Sequence, residues 1–165
     1  MMREMRRFKQ LLPDEMTRHI LDEATNVVIG VNGDDGYPYT VPVSHAVSGD
    51  VLYFHCAKEG YKVDAIRNNP KVCFSAVVKD EIIPEEFTTY FRSVSGFGKA
   101  RIVEDAEERM KAFRVICEKF SMPAMHKFEE IVAKEGHGAL IVAIDIEHLT
   151  GKEAIELVRK RNNEG

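Results

Sequence analysis

Lys58 and Lys62 bracket a Lys-Glu-Gly-Tyr-Lys turn between the apolar run Leu52-Tyr53-Phe54-His55-Cys56-Ala57 and a short helical stretch, Val63-Asp64-Ala65-Ile66-Arg67, closed by Asn68-Asn69-Pro70. A helix start carries partial positive charge on N–H groups that lack an intrahelical acceptor, so two ammonium groups beside it are unfavourable until an anion joins them. A phosphate there suits the helix start and both lysines. The plain alternative is a helix start with two solvated lysines. His55, at the strand end beside this loop, could donate a hydrogen bond or proton to a bound molecule, or simply pack against it. Thr150-Gly151-Lys152 offers a second hydroxyl–ammonium group, and with Glu153 it also has the spacing of a helix capping box.

Other chemistries find no support. The chain has no C-x-x-C, no H-E-x-x-H, no Walker loop, no G-x-S-x-G and no glycine-rich dinucleotide turn. His55 and Cys56 are adjacent, so on a strand they face opposite sides and cannot share a metal. No metal site is expected. Cys56, Cys73 and Cys117 are odd in number and widely spaced, which fits free thiols in a reducing compartment. His19, His126, His137 and His148 have no partners at a diagnostic spacing and read as ordinary surface or core histidines.

The 165 residues carry a formal charge of -4, with an isoelectric point near 5.9, which argues against nucleic-acid or acidic-membrane partners. The basic cluster Arg159-Lys160-Arg161 suits the end of a last helix. No apolar run approaches the ~18 residues of a membrane span, and the opening Met-Met-Arg-Glu-Met-Arg-Arg leads into no signal core. A cytoplasmic protein of one domain, residues 1–165, is the expectation.

These groups need a scaffold, and the periodicities predict one. An amphipathic helix over Asp14–Asn26 takes Asp14 as its cap, after Pro13. Strands follow at Val27–Val31, Tyr37–Val47 and Val51–Cys56, separated by Asn32-Gly33-Asp34-Asp35-Gly36 and Ser48-Gly49-Asp50 turns. A fourth strand spans Lys71–Val78, an acidic loop Asp80–Phe87, and a long fifth strand Thr88–Val103, bent at Ser95-Gly96-Phe97-Gly98. Asp105 and Glu108 form a capping box for a helix with Met110, Phe113, Ile116, Cys117 and Phe120 on one face. Pro123 interrupts it, a second helix covers Ala124–Glu135, a sixth strand covers Gly138–Ile146, and Thr150 caps a last helix through Arg161. Six strands with interspersed helices predict a small antiparallel barrel in an α+β domain.

In order along residues 20–152, the chain resembles the pyridoxamine 5′-phosphate oxidase-related FMN-binding split-barrel superfamily. Within it, the chain is most similar to the 5-nitroimidazole resistance (Nim) flavoproteins. The segments that carry the resemblance are 35–42 (Asp-Gly-Tyr-Pro-Tyr-Thr-Val-Pro), 52–60, 69–74 (Asn-Pro-Lys-Val-Cys-Phe), 90–100 and 146–152. The resemblance implies a six-stranded split barrel with flanking helices, and a homodimer with flavin in the groove between protomers. Val41, Pro42, Val43 and Ser44 then line the flavin from the second strand. His55 comes from the third. Lys62 holds the FMN phosphate, helped by the backbone of Cys56, Ala57 and Lys58; Arg92 and Ser93 reach in from the fifth strand, and Thr150, Gly151 and Lys152 lie near the same groove. Two positions depart from the Nim pattern: Cys56 stands where Ser is usual and Tyr61 where a phosphate-binding Arg is usual. The Arg and Lys that pyridoxamine phosphate oxidases carry on the strand here read Tyr39–Ser44 are also absent, which argues against that reaction.

The resemblance implies an FMN-dependent oxidoreductase that takes electrons from NAD(P)H and reduces small nitro-aromatic or quinone-like acceptors, with His55 as a catalytic candidate. The rival expectations are a non-catalytic flavin or haem protein that stores or senses redox state, and a barrel whose ligand site has decayed.

Overall fold

The computed structural model describes residues 3–163. Its helices are α1 (Asp14–Glu23), α2 (Tyr61–Asn68), α3 (Ala106–Ser121), α4 (Phe128–Glu135) and α5 (Ile155–Asn163). Its strands are β1 (Asn26–Asn32), β2 (Pro38–Ser44), β3 (Ala46–Ser48), β4 (Val51–Ala57), β5 (Lys71–Ile83), β6 (Thr88–Ile102) and β7 (Ala139–Glu153). All strands pair antiparallel in one sheet, ordered β2-β1-β5-β6-β7-β4-β3.

That order fixes the shape. β2 and β3 lie at opposite edges of the sheet, yet only His45 separates Ser44 from Ala46. The sheet must therefore curl until its edges approach, giving a half-barrel split between β2 and the β3–β4 hairpin. Alternation selects the inside: Val27, Ile29 and Val31 of β1, Leu52 and Phe54 of β4, Val72 and Phe74 of β5, and Val142 and Ile144 of β7 share one buried core. α1 closes the barrel with Ile20 and Leu21, both nearly inaccessible. Gly96 allows the curl to tighten, since a Cβ there would sit 2.2 Å from the Phe74 ring.

A second, smaller core lies on the outer face, where α3 lays Ala112 and Ile116 over Tyr53, Ile141 and Ala143. The Asp105 carboxylate caps α3 by accepting from the Glu108 N–H at 2.8 Å. Glu108 in turn grips Arg101, whose guanidinium also bonds Asp145, and it accepts from the Tyr53 hydroxyl. The Tyr53 hydroxyl is pushed up to about 12 by burial and by this carboxylate.

The structure corrects several expectations. Among the described residues there are seven strands, not six, because the extended stretch 37–47 breaks at the buried His45 into β2 and β3. Asp14 is the first residue of α1 and caps nothing; Pro13 is at the cap position and α1 stops at Glu23. The acidic loop is instead the end of β5, paired through Ile83 with Thr88 of β6, and only Pro84–Glu86 turn. Asp80, Glu81 and Ile82 look outward there, so local polarity masked a hairpin arm whose partner strand decides its state. Met122–Lys127 is a 3-10 segment before α4, since Pro123 cannot continue α3. β7 runs on to Glu153, so Thr150 is a strand residue and not a cap. The bend predicted near Gly98 exists as a register shift between Phe97 and Gly98 against β7.

Candidate functional site

α2 begins without a side-chain cap. Its start is set by Gly60 at φ 131, where the carbonyl accepts from the N–H groups of Val63 and Asp64. Among the described residues neither Lys58 nor Lys62 joins an ion pair, although eight other charged contacts form. Lys62 is close enough to Cys56 to pull its thiol back down, while burial pushes that thiol up. An uncapped helix start, two unpaired ammonium groups and a strand-end backbone are thus gathered at one place. This donor set fits a phosphate.

The other predicted residues fall elsewhere. On β2, Val43 turns into the core and Val41 is half-buried, while Pro42 and Ser44 are exposed on the outer face. On β4, Cys56 points in and His55 and Ala57 point out; His55 looks towards α3 and α4. Ser93 pairs with Lys152, and Ser95 with Thr150, so the Arg92–Ser93 and Thr150–Lys152 groups adjoin on neighbouring strands. Gly151 is buried against Thr17 of α1, and the Thr150 hydroxyl lies 2.9 Å from the His148 ring. Lys152 places its ammonium over the Phe91 ring.

Along β7 the two sets are far apart. His55 pairs with Ile141 and Ser95 with Thr150, nine residues on, or about 30 Å at ~3.3 Å per residue. At the Thr150 end the outer face carries a transverse row, Pro42–Val28–Ser75–Ser95–Thr150, set by successive strand registers. Beside it lie the exposed apolar side chains of Val77 and Phe97.

Sequence reading missed two groups. Glu153 is fully buried, and its oxygens accept from Arg92 Nε and Arg161 Nε at 3.0 Å each. Arg92, expected at the flavin, is thereby tied to the strand that leads into α5. No local signal marks this clamp, because Arg92 is 61 residues away in sequence. His45 is also fully buried, with Nε2–H donating to the Leu21 carbonyl at 2.8 Å and Nδ1 unpartnered. Burial lowers its pKa to about 4, so the ring is neutral. Lys119 donates to the Ala24 carbonyl nearby, and its ammonium adds to that shift. A histidine inside an apolar strand pattern was the signal available for this residue.

The fold is an α+β domain built on a curled antiparallel half-barrel, with the uncapped start of α2 after β4. Residues 13–153 match the family model described as pyridoxamine 5′-phosphate oxidase, and the chain belongs to that family. Among solved structures, the fold is similar to a candidate 5-nitroimidazole antibiotic resistance protein from Bacteroides thetaiotaomicron, 22% identical over 87% of this chain and 86% of that one, at a TM-score of 0.70. It is also similar to the flavocytochrome Anf3 from Azotobacter vinelandii, 20% identical over 92% and 72% at 0.78. A FAD-binding protein from Mesorhizobium loti is 20% identical over 88% and 97%, at 0.66. No curated protein matches. Among the described residues no helix is long and apolar enough to cross a membrane, and no three His, Cys, Asp or Glu side chains are grouped to hold a metal.

Proposed function

We propose that this protein is a homodimeric FMN-dependent oxidoreductase that draws electrons from NAD(P)H and reduces small nitro-aromatic or quinone-like acceptors. The observation that carries the reading is the α2 start, where no side chain caps the helix and, among the described residues, neither Lys58 nor Lys62 joins an ion pair. Unpaired cations at the positive end of a helix are unfavourable in the free protein, and an FMN phosphate removes that cost. When bound, the flavin supplies electron transfer between donor and acceptor. Lys62 anchors the phosphate, the β4–α2 backbone orients it, and His55 presents a ring nitrogen that can donate to a bound oxygen.

The dimer follows from reach. One flavin cannot touch both His55 and the Thr150–Lys152 segment of a single chain if the about 30 Å of β7 between their register positions separates them. Antiparallel apposition of two outer faces brings the first set of one protomer to the second set of its partner. Val77, Phe97 and the small side chains of the transverse row supply an uncovered surface for that contact. Because only the dimer completes the groove, FMN must favour association.

A non-catalytic flavin or haem carrier is the second reading, favoured by the fold's likeness to a flavocytochrome. The purified protein should show bound-flavin absorbance that bleaches with NAD(P)H and recovers on adding a nitro-aromatic. Absorbance that bleaches but never recovers with such an acceptor selects the carrier reading. A protein that ignores added FMN overturns both flavin readings. Light scattering across dilutions should show tighter dimerisation with FMN; a monomer that binds FMN at full stoichiometry overturns the shared groove.

A further inference from the structure

The residues before α1 run as a strap across the end of β7. Leu11 bridges to Lys152, the Leu12 N–H donates to the Gly151 carbonyl at 3.0 Å, and the 3-10 turn Phe8–Gln10 packs on α5. Between strap and helix opens a cleft of about 310 Å³, lined by Arg6, Arg7, Phe8, Lys9, Gln10 and Ile155. Among the described residues none of these three cations joins an ion pair, and the carboxylates beside them in sequence, Glu4, Glu153 and Glu156, do not line the space. Ile155 is the first residue of α5, so the positive end of that helix adds to the same field. Phe8 leaves its ring largely exposed, and the buried Gln10 has Oε1 unpartnered.

The lining selects the occupant. Two guanidiniums and an ammonium call for a phosphate, which arginine grips bidentately. The open Phe8 ring offers a stacking face to a nucleobase. A buried acceptor without a donor is costly, and the Gln10 amide, by turning about its last bond, meets the amino group of adenine, which donates. At about 310 Å³ the cleft is at the small end of the ~300–1,000 Å³ of ligand pockets, so it holds one nucleotide and not a whole dinucleotide. The other half has a direction to take. Ile155 is three residues past Lys152, at most about 11 Å of chain, and Gln10 adjoins the residue that bridges to Lys152. Lys152 belongs to the segment assigned to the flavin groove. We infer that the strap cleft binds the adenosine 2′-phosphate end of NADPH, with Arg6 and Arg7 on the 2′-phosphate and Phe8 on the adenine, so that the electron donor is NADPH and not NADH. An arginine at the 2′-phosphate is the physical difference between sites for the two. The inference rests on the proposed flavin reading for its catalytic meaning, but nucleotide binding in the cleft does not require flavin.

Two fragments probe the cleft without flavin: adenosine 2′,5′-bisphosphate, the adenosine end of NADPH, and 5′-AMP, that of NADH. In calorimetric titration the full chain should bind the bisphosphate at least about tenfold more tightly than 5′-AMP. Arg6→Ser combined with Arg7→Ser should bring the two within about twofold, and Phe8→Ala should weaken both alike. Lys62→Glu should leave the preference intact, because the α2 turn is a separate site. In the FMN-loaded protein the double substitution should raise the ratio of KM for NADPH to KM for NADH at least about tenfold. Preference for the bisphosphate in a protein that ignores FMN upholds the cleft and sinks the flavin reading. FMN binding and equal turnover with NADH and NADPH, without that preference, overturn the cleft and spare the flavin reading. A preference that survives the double substitution, or that is lost in Lys62→Glu, also overturns it. So does retention on phosphatidylglycerol vesicles with no preference for the bisphosphate, which would make the strap a lipid-surface contact.

Discussion

The β4–α2 turn and the far end of β7 use the same residue types for opposite ends. At the turn, Lys58 and Lys62 have no carboxylate partners among the described residues and no cap neutralises the helix start. At the end of β7, Arg92 and Arg161 share the inaccessible Glu153 and tie β6, β7 and α5 together. Charge left unpaired on a rim is available to a ligand; charge paired around a buried carboxylate is committed to the fold. Position in sequence did not distinguish them, since both regions pair lysine or arginine with a strand end.

The comparison breaks most visibly at Glu153. Glu153→Ala removes the acceptor that two arginines share, and since both guanidiniums are about a third exposed and can turn to solvent, the loss is that of charge-assisted hydrogen bonds, roughly 2–3 kcal/mol. Urea denaturation should show the midpoint falling accordingly, with α5 losing hydrogen-exchange protection first. A loss below about 1 kcal/mol would mean that the clamp is not structural, and Arg92 would again be free for a ligand.

Lys62→Glu is the counterpart at the turn. Losing one charge-assisted bond costs ~1.5–3 kcal/mol, so FMN affinity should fall at least about tenfold, and further through repulsion. Its urea midpoint should stay near that of the parent, because Lys62 supports no packing contact comparable to Glu153. Unchanged FMN titration would return the lysine turn to a solvated helix start.

His45 joins the two halves of the bent β2–β3 segment and titrates between them. Its folded pKa of about 4 lies below the unfolded value of 6.5, so as pH falls through this window the unfolded chain takes up the proton first. Stability from this site is therefore full above about pH 6.5 and lost progressively towards pH 4. Between pH 7 and pH 5 the loss is about 2 kcal/mol. Other carboxylates titrate too, so the measurement is the difference between parent and His45→Gln in urea midpoints at the two pH values. Parallel midpoints would show that the ring titrates alike in the folded and unfolded chain, and a difference of opposite sign that it is charged in the fold.

Much of the scaffold was readable because it is local. Alternation at Val27, Ile29 and Val31, the Asp105–Glu108 cap and the Gly98 bend all leave their marks within a few residues. Failures came where distant partners decide. Asp80–Ile83 is a strand only because β6 pairs with it, and Thr150–Glu153 is a strand only because Arg92, Ser93, Val94 and Ser95 lie alongside. The seventh strand appeared because His45, a polar residue in an apolar run, is buried by a carbonyl of α1. For the site, residue types identified the lysine turn, whereas its separation from Thr150–Lys152 required the register of a whole sheet.

Tyr61 sharpens the comparison at the smallest scale, since it occupies the position where the Nim pattern has an arginine. Its hydroxyl accepts from the Asp34 N–H at 2.5 Å and its ring meets Tyr39 edge-on at 4.6 Å. The side chain thus turns towards the β1–β2 connection and away from an anion at the α2 start. Tyr61→Phe removes only the hydrogen bond and should cost about 1 kcal/mol in urea denaturation, with FMN affinity unchanged. Tyr61→Arg tests the direction of the side chain itself. If residue 61 is held against Gly33 and Tyr39, the arginine should lose stability to a similar degree and tighten FMN by less than about twofold. Tightening of tenfold or more would show that position 61 reaches the phosphate, and that the turn tolerates one cation fewer than its relatives only because Lys58 and Lys62 suffice.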